Sequence, residues 1–152
     1  MKGSIKGYGY VTLQFFILGL IFFSRAATKA PVGTLFLGEV LLLLGLIILV
    51  VAGITLRSAL TAVPEPKADA PFITTGIYKR VRHPMYLGLI LMATGISAIR
   101  WSAFAAYETV VLTLVLISKY RYEDGLLLAK WPEAISYQVR VGALLPIFAK
   151  EK

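Results

Sequence analysis

The sequence predicts an all-α protein, a polytopic membrane helix bundle of about four spans with a cytoplasmic, interfacial helical tail at its C-terminus. Composition is the first observation behind this prediction. Hydrophobic residues make up 58% of the 152 residues and charged residues only 16%, whereas soluble domains have about 45–50% apolar and about 25% charged residues. The second observation is that the apolar excess lies in long blocks, which excludes a soluble globular enzyme and a disordered chain.

Four apolar blocks account for the predicted spans, and they are residues 8–24, 35–56, 85–99 and 102–118. A helix needs about 20 residues to cross the hydrocarbon core, with a range of roughly 17–25. The second block meets this length, and the first and fourth lie at its lower end. The third block is shorter, and Arg100 and Trp101 directly after it favour a tight hairpin with both side chains at the interface. A re-entrant hairpin is the alternative.

The distribution of basic residues predicts the orientation of the spans. With four spans, the N-terminus, the second loop and the C-terminal tail share one side, and 13 of the 16 Lys and Arg residues lie there. Basic residues collect on the cytoplasmic side of membrane proteins, so we expect a multi-pass protein with both termini in the cytoplasm. This topology explains the net charge of +8 without a nucleic-acid partner.

A proline-rich segment, residues 63–71, divides the chain into two parts. Its prolines exclude a regular helix, so the segment is predicted to be an extended linker. It separates an N-terminal two-span unit, residues 1–62, from a C-terminal half, residues 72–152, that holds most of the polar side chains. The chain has no Cys and one His, so we expect no disulfide and no metal site.

The densest polar cluster, residues 75–88, comes directly before and into the third apolar block. Pro84 suits the first turn of a helix and disfavours helical backbone at the preceding residue, so His83 is predicted to be the N-cap. Tyr86 lies near the same helix end, and Arg82 adds positive charge beside the free backbone N–H groups. A helix N-terminus with flanking cations is an anion site. The alternative is a positively charged membrane anchor followed by an ordinary helix start.

A second polar cluster, residues 121–127, follows the fourth apolar block and contains two adjacent carboxylates, Glu123 and Asp124. Adjacent helical residues point about 100° apart, so the two are not expected to face the same partner. We expect one of them to bind a ligand while the other faces solvent or Arg121. The alternative is an interfacial salt bridge, which would stabilise the protein by at most about 1 kcal/mol.

Together the two clusters resemble the isoprenylcysteine carboxyl methyltransferase family, with its bacterial and archaeal relatives and the more distant phospholipid methyltransferases. Residues 76–88 resemble the pattern G-x-Y-x-x-x-R-H-P-x-Y-x-G, and residues 121–127 resemble R-x-E-E-x-x-L. Residues 131–146 are similar to the family's aromatic, Arg-Val-Pro and Leu-x-Pro tail. The sequence departs from the pattern at Asp124, where the family has a second Glu, and at positions of the tail.

The resemblance implies an integral-membrane methyltransferase that uses S-adenosylmethionine and methylates a lipophilic acceptor, with a carboxylate favoured and a prenylated substrate as one possibility. The cofactor-binding residues that it implies are Tyr78, Arg82, His83, Tyr86, Glu123 and Leu127. An acceptor carboxylate calls for a basic residue to hold it, and Arg121 and Arg140 are the candidate catalytic residues for this role. The expected surroundings are the lipid bilayer, from which the acceptor would enter between helices. The sequence carries no signal for the oligomeric state.

The chemistry of these residues fits the implied cofactor. Its carboxylate suits the helix end at His83, its hydroxyl and amino groups suit an acceptor such as Glu123, and its adenine suits an apolar and aromatic pocket near Leu127, Trp131 or Tyr137. An ionised acceptor carboxylate needs no base, so catalysis would consist of positioning and desolvation. Two alternatives are an NADPH-dependent membrane reductase of the sterol-reductase type and a non-enzymatic membrane relative.

Overall fold

The computed structural model describes residues 3–27 and 29–146. The helices in these residues are α1 Ile5–Phe23, α2 Val32–Leu56, α3 Pro84–Arg100, α4 Ala103–Lys130 and α5 Ala134–Arg140. Two single 3-10 turns, Arg57–Ala59 and Gly76–Lys79, lie between α2 and α3. The described part of the chain contains no β-strand beyond one isolated bridge, so the all-α prediction is confirmed. The two predicted halves are residues 1–62 and 72–152. The first residue of the former and the last residue of the latter lie outside the described residues.

Three helices, α1, α2 and α4, are long and apolar enough to cross a membrane, and α3 is a shorter apolar helix of 17 residues. The predicted hairpin between α3 and α4 is present. Trp101 adopts a left-handed backbone (φ 48°), and the Ser102 side chain then caps α4 by accepting a hydrogen bond from the Ala105 N–H. α4 continues without a break to Lys130, so its last turns carry the second polar cluster out of the apolar block.

α2 and α3 lie against each other along glycine residues. A Cβ atom added to Gly45 would lie 2.6 Å from the Gly88 carbonyl oxygen, and one added to Gly38 would lie 2.8 Å from the Gly95 carbonyl oxygen. Helices in lipid gain little from the hydrophobic effect between them, so their association depends on close packing through small residues. The two helices therefore form a pair whose separation is set by the absence of side chains at these positions.

α1 packs mainly against α4, and a buried cluster joins these two helices to α3. The cluster contains Ile17 and Ile21 of α1, Ala93 of α3, and Leu112 and Leu116 of α4. The two N-terminal helices thus pack onto the C-terminal hairpin, α1 onto α4 and α2 onto α3. As a result, any site at the end of the bundle where α3 begins draws its walls from both halves of the chain.

The proline-rich residues 63–71, called the strap below, contain no α-helix. The strap is attached to the bundle at two places. Glu65 is buried, and its Oε1 accepts hydrogen bonds from the hydroxyls of Ser4 and Tyr122. The Lys130 ammonium donates to two backbone carbonyl oxygens of the strap. The segment is therefore a fixed cover across the end of the bundle as well as a connection between its halves.

Glu65 is held in its ionised form where the strap meets α1. Burial by itself raises the pKa of this carboxyl, but hydrogen bonds from Ser4, the backbone and Tyr122 outweigh burial and hold the pKa below its ordinary value. A lowered pKa stabilises the folded protein above the ordinary pKa of a Glu carboxyl, and this stabilisation is lost as the pH falls through the lowered value. Gly7 leaves the room that the carboxylate needs, because a Cβ there would lie 2.2 Å from Oε2.

We expect Gly45→Ala to destabilise the pair of α2 and α3, because the added methyl group would meet backbone atoms of α3. Gly53→Ala is the matched control in the same helix, since a Cβ at Gly53 would have nothing within 4 Å. Overpacking costs about 1–3 kcal/mol, so the thermal unfolding temperature in detergent should fall for Gly45→Ala and not for Gly53→Ala. Equal unfolding temperatures for the two variants would contradict the packing described here.

Candidate functional site

A cavity of about 340 Å³ lies at the end of the bundle where α2 ends and α3 begins. Helices α1 to α5, the strap and the residues that follow the strap all contribute to its lining. Its volume lies in the range of about 300–1,000 Å³ that is usual for small-molecule sites. It brings together all six residues that the sequence resemblance implied for the cofactor, which are Tyr78, Arg82, His83, Tyr86, Glu123 and Leu127.

The two arginines that were expected to be catalytic lie elsewhere. Arg121 and Arg140 are both exposed, and neither contributes to the lining of the cavity. Arg121 precedes Glu123 by two residues on α4, so helical geometry turns its side chain to the opposite side from Glu123. Arg140 is the last residue of α5. The structure therefore brings together the six residues that were expected to bind the cofactor, without these two arginines.

Asp124 of α4 is the central acceptor beside the cavity. Its Oδ2 accepts a hydrogen bond from Arg82 Nη2 at 2.9 Å, and its Oδ1 lies 2.9 Å from His83 Nε2. The side chains of all three residues are largely buried. One of the two acids was expected to face solvent or Arg121. Asp124 instead points inward and holds the two residues that precede α3, and Glu123 lines the cavity.

Both adjacent carboxylates contact the same His83 ring, so the expectation that they face different partners is wrong. His83 Nδ1 lies 3.7 Å from Glu123 Oε2, while its Nε2 is bonded to Asp124. The reason is that the ring stacks over Tyr120 of α4, with a centroid separation of 5.2 Å. Residues three and four positions after Tyr120 are its neighbours on the helix surface. A ring above Tyr120 therefore reaches Glu123 and Asp124 with its two nitrogen atoms.

His83 is the residue that precedes α3, as predicted for the N-cap. Its backbone carbonyl oxygen accepts hydrogen bonds from the Tyr86 and Leu87 N–H groups, both at 3.1 Å. Its side chain makes no capping hydrogen bond, because the ring is turned towards α4. The helix start therefore depends on the backbone and on Pro84, and the His83 ring serves to join α3 to α4.

Arg82 fixes the C-terminal segment beside the cavity. Its Nη1 donates to the carbonyl oxygens of Gln138 and Val141, and its backbone N–H donates to the Gly142 carbonyl oxygen at 2.9 Å. With Nη2 bonded to Asp124, both terminal nitrogens are occupied within the protein. Arg82 Nε is buried without a hydrogen-bond acceptor among the described residues, so this guanidinium N–H is an unpaired donor beside the cavity.

Glu123 is the carboxylate that the cavity presents to a ligand. Its side chain is 26% exposed and its Oε2 accepts a hydrogen bond from the Tyr86 hydroxyl at 2.6 Å. The Tyr86 ring in turn stacks on the His83 ring, with 5.5 Å between centroids. These contacts orient the carboxylate and leave part of it free to accept hydrogen bonds.

An aromatic wall forms another side of the cavity. Phe72 stacks on Trp131 at 5.3 Å and meets Tyr137 edge-on at 5.5 Å between ring centroids. The Tyr137 hydroxyl donates to the Tyr78 carbonyl oxygen. Burial raises the pKa of Tyr137 to about 12 and also raises the pKa of Tyr78, so both phenols are neutral at physiological pH. The wall offers flat apolar surface for a ligand ring.

Among the cavity residues that sequence reasoning missed, Phe72, Lys119 and Gln14 bear most on ligand binding. Phe72 follows the strap in a segment without periodicity, so no local signal placed it beside Trp131. Lys119 is buried at 2% exposure, although the sequence analysis counted it only as a basic residue of the tail. Its position four residues before Glu123 predicts the same helix face, and this signal was available. Gln14 is a polar residue within an otherwise apolar block, a second available signal.

In a comparison with protein families, residues 33–133 match the model of the phospholipid methyltransferase family. The match spans more than half of the chain and includes α2, α3 and α4. The chain belongs to the phospholipid methyltransferase family. The family match confirms the sequence resemblance at the family level and identifies this multi-pass membrane protein as a methyltransferase. A comparison with curated proteins found no match.

We expect Asp124→Asn to destabilise this phospholipid methyltransferase family member strongly, because it would leave the buried Arg82 guanidinium without its carboxylate. Removing one partner of a buried ion pair costs about 3–5 kcal/mol. Asp69→Asn is the matched control, since Asp69 is exposed in the strap. Thermal unfolding in detergent should show a clear loss for Asp124→Asn alone. If both variants unfold at the wild-type temperature, Asp124 is not the central acceptor described above.

Proposed function

We propose that the protein is an S-adenosylmethionine-dependent membrane methyltransferase that methylates a lipophilic acceptor, with a carboxylate as the favoured nucleophile, as in the isoprenylcysteine carboxyl methyltransferases. The observation that carries this proposal is the convergence of six residues, selected from two separate sequence motifs, on one cavity. Family membership supports methyl transfer as the reaction class. The apolar helices around the cavity support an acceptor that reaches it from the bilayer.

The residues of the cavity fit S-adenosylmethionine in charge and shape. The cofactor is a small molecule with two cationic groups, a carboxylate, ribose hydroxyls and a flat adenine ring, and it supplies a methyl group bonded to a sulfonium. Glu123 provides a partly exposed carboxylate, Phe72 and Trp131 provide flat apolar surface, and Arg82 Nε provides a buried donor. The cavity thus offers partners of suitable chemistry for the ammonium or hydroxyl groups, the adenine ring and the carboxylate of the cofactor.

The residues have distinct parts in binding and orientation under this proposal. Glu123 accepts hydrogen bonds from the cofactor's hydroxyl or ammonium groups, and Tyr86 keeps the carboxylate in position. Phe72 and Trp131 pack against adenine. Asp124 acts through Arg82 and His83 as a positioning residue, because it fixes the backbone at the start of α3.

The reaction needs little acid–base chemistry if the acceptor is a carboxylate. A carboxylate is ionised at neutral pH, so the protein has only to align it with the methyl group and to exclude water. The strap covers the cavity and would help to exclude water. Arg121 and Arg140 are exposed outside the cavity, so we assign the contact with the acceptor to residues within it.

The orientation follows from the same proposal. The cavity lies at the end of the bundle that carries the second loop and the last turns of α4, where the basic residues concentrate. We therefore propose that it opens towards the cytoplasm, where S-adenosylmethionine is made. A sterol-type reductase would need several cationic groups for the NADPH phosphates. The cavity lining contains one arginine and one lysine, Arg82 and Lys119, and the Arg82 terminal nitrogens are already bonded to Asp124 and to two carbonyl oxygens.

Calorimetry of the purified protein in detergent tests the proposal. We expect wild type to bind S-adenosylmethionine and S-adenosylhomocysteine but not NADPH. Glu123→Gln should bind both adenosyl compounds about ten- to a hundredfold more weakly, because a hydrogen bond to a charged group contributes about 1.5–3 kcal/mol.

Glu133→Gln is the matched control, because Glu133 is exposed and makes no side-chain capping bond at the start of α5. It should bind S-adenosylmethionine as wild type does. Wild-type affinity in Glu123→Gln would refute the role of this carboxylate. Binding of NADPH in place of the adenosyl compounds would refute the methyltransferase proposal.

A further inference from the structure

Lys119 is a buried cation whose contacts within the protein are incomplete. It lies on α4, lines the cavity and is 2% exposed. Its Nζ donates to Gln14 Oε1 at 2.8 Å and to the Ala62 carbonyl oxygen at 3.2 Å. The ammonium also lies 5.0 Å from the centre of the Tyr86 ring. These groups hold Lys119 in place but carry no formal negative charge.

Buried charges in proteins are normally paired with an opposite charge. Glu123 and Glu65 interact electrostatically with Lys119, but no carboxylate within residues 3–27 and 29–146 comes within 4.0 Å of its Nζ. A lysine ammonium has three N–H donors, and the two described oxygen acceptors use two of them. One donor and one positive charge are therefore available to a group that enters the cavity.

The position of Lys119 indicates the side from which that group comes. Lys119 lies one helical turn before Glu123, about 6 Å deeper in the bundle at 1.5 Å per residue. Its partner Gln14 is adjacent to Phe15, which is 61% exposed and also lines the cavity. The cavity thus reaches the exposed surface of α1 beside Lys119, whose other partner, Ala62, directly precedes the strap.

We infer that the Lys119 ammonium, held by Gln14 and the Ala62 carbonyl, is the carboxylate-binding group of this cavity. This inference rests on the proposed function, in which a lipophilic carboxylate is the favoured acceptor. Lys119 makes the site selective for an anionic head group, because a cationic amine beside a buried ammonium would be repelled. Gln14 is a positioning residue that sets the direction of the ammonium.

Two carboxylates could be the ligand, that of the acceptor and that of the cofactor, and a binding experiment distinguishes them. The probes are N-oleoylglycine and N-oleoylethanolamine, which share one acyl chain and differ in a carboxylate against a hydroxyl. Wild-type protein saturated with S-adenosylhomocysteine should bind the glycine conjugate at least about tenfold more tightly, as expected for a hydrogen bond to a charged group. N-oleoylethylenediamine, with an amine head, should bind more weakly than either.

Lys119→Met keeps the length of the side chain and removes its charge. It should reduce the preference for N-oleoylglycine to within twofold while leaving the affinity for N-oleoylethanolamine unchanged. Lys119→Arg should retain part of the preference. Lys29→Met is the control, since it also removes an ammonium, but from an exposed side chain that lies between α1 and α2 and outside the cavity lining. It should keep the wild-type preference.

The outcomes distinguish the carboxylate of the acceptor from that of the cofactor, and the inference about Lys119 from the proposed function. If Lys119→Met instead weakens binding of S-adenosylhomocysteine about tenfold, Lys119 binds the carboxylate of the cofactor. If Lys119→Met keeps the cofactor affinity, and either wild type does not prefer N-oleoylglycine or Lys119→Met keeps that preference, the inference is overturned. A wild-type protein that binds no adenosyl compound refutes the proposed function, and the oleoyl probes still test Lys119 without it.

Discussion

Asp124 accepts hydrogen bonds from Arg82 and His83, and through them one carboxylate of α4 holds the start of α3 and the C-terminal segment. Arg82 also donates hydrogen bonds to the carbonyl oxygens of Gln138 and Val141, which lie in the C-terminal segment. Because these groups are largely shielded from water, none of them can be released without leaving another unpaired. The cavity owes its shape to this arrangement, since α3, α4 and α5 all line the cavity and are joined there.

The membrane part of the fold supports the same site by a different kind of contact. Gly45 and Gly88 allow the backbones of α2 and α3 to touch, which places the end of α2 beside the start of α3. The strap then closes over this end, where Glu65 is bonded to Ser4 and Tyr122. A polar, covered cavity thus lies next to apolar helix surface, as the proposed methylation of a lipophilic molecule requires.

Local patterns in the sequence predicted the helices and much of the cavity. Pro84 marked the start of α3, and the two motifs selected residues that meet in one place because each motif lies at a helix end. Contacts between distant segments could not be predicted in this way. The contact between Asp124 and Arg82 was not predicted because Arg82 lies on another element. Glu65 belonged to a segment whose composition indicated only a linker.

An experimental structure with S-adenosylhomocysteine bound tests the central claim most directly. The account predicts that the ligand fills the cavity, with a hydroxyl or amino group within about 3.2 Å of the Glu123 carboxylate and its adenine against Phe72 and Trp131. A ligand bound outside this cavity, or bound within it without contact to Glu123, would contradict the account.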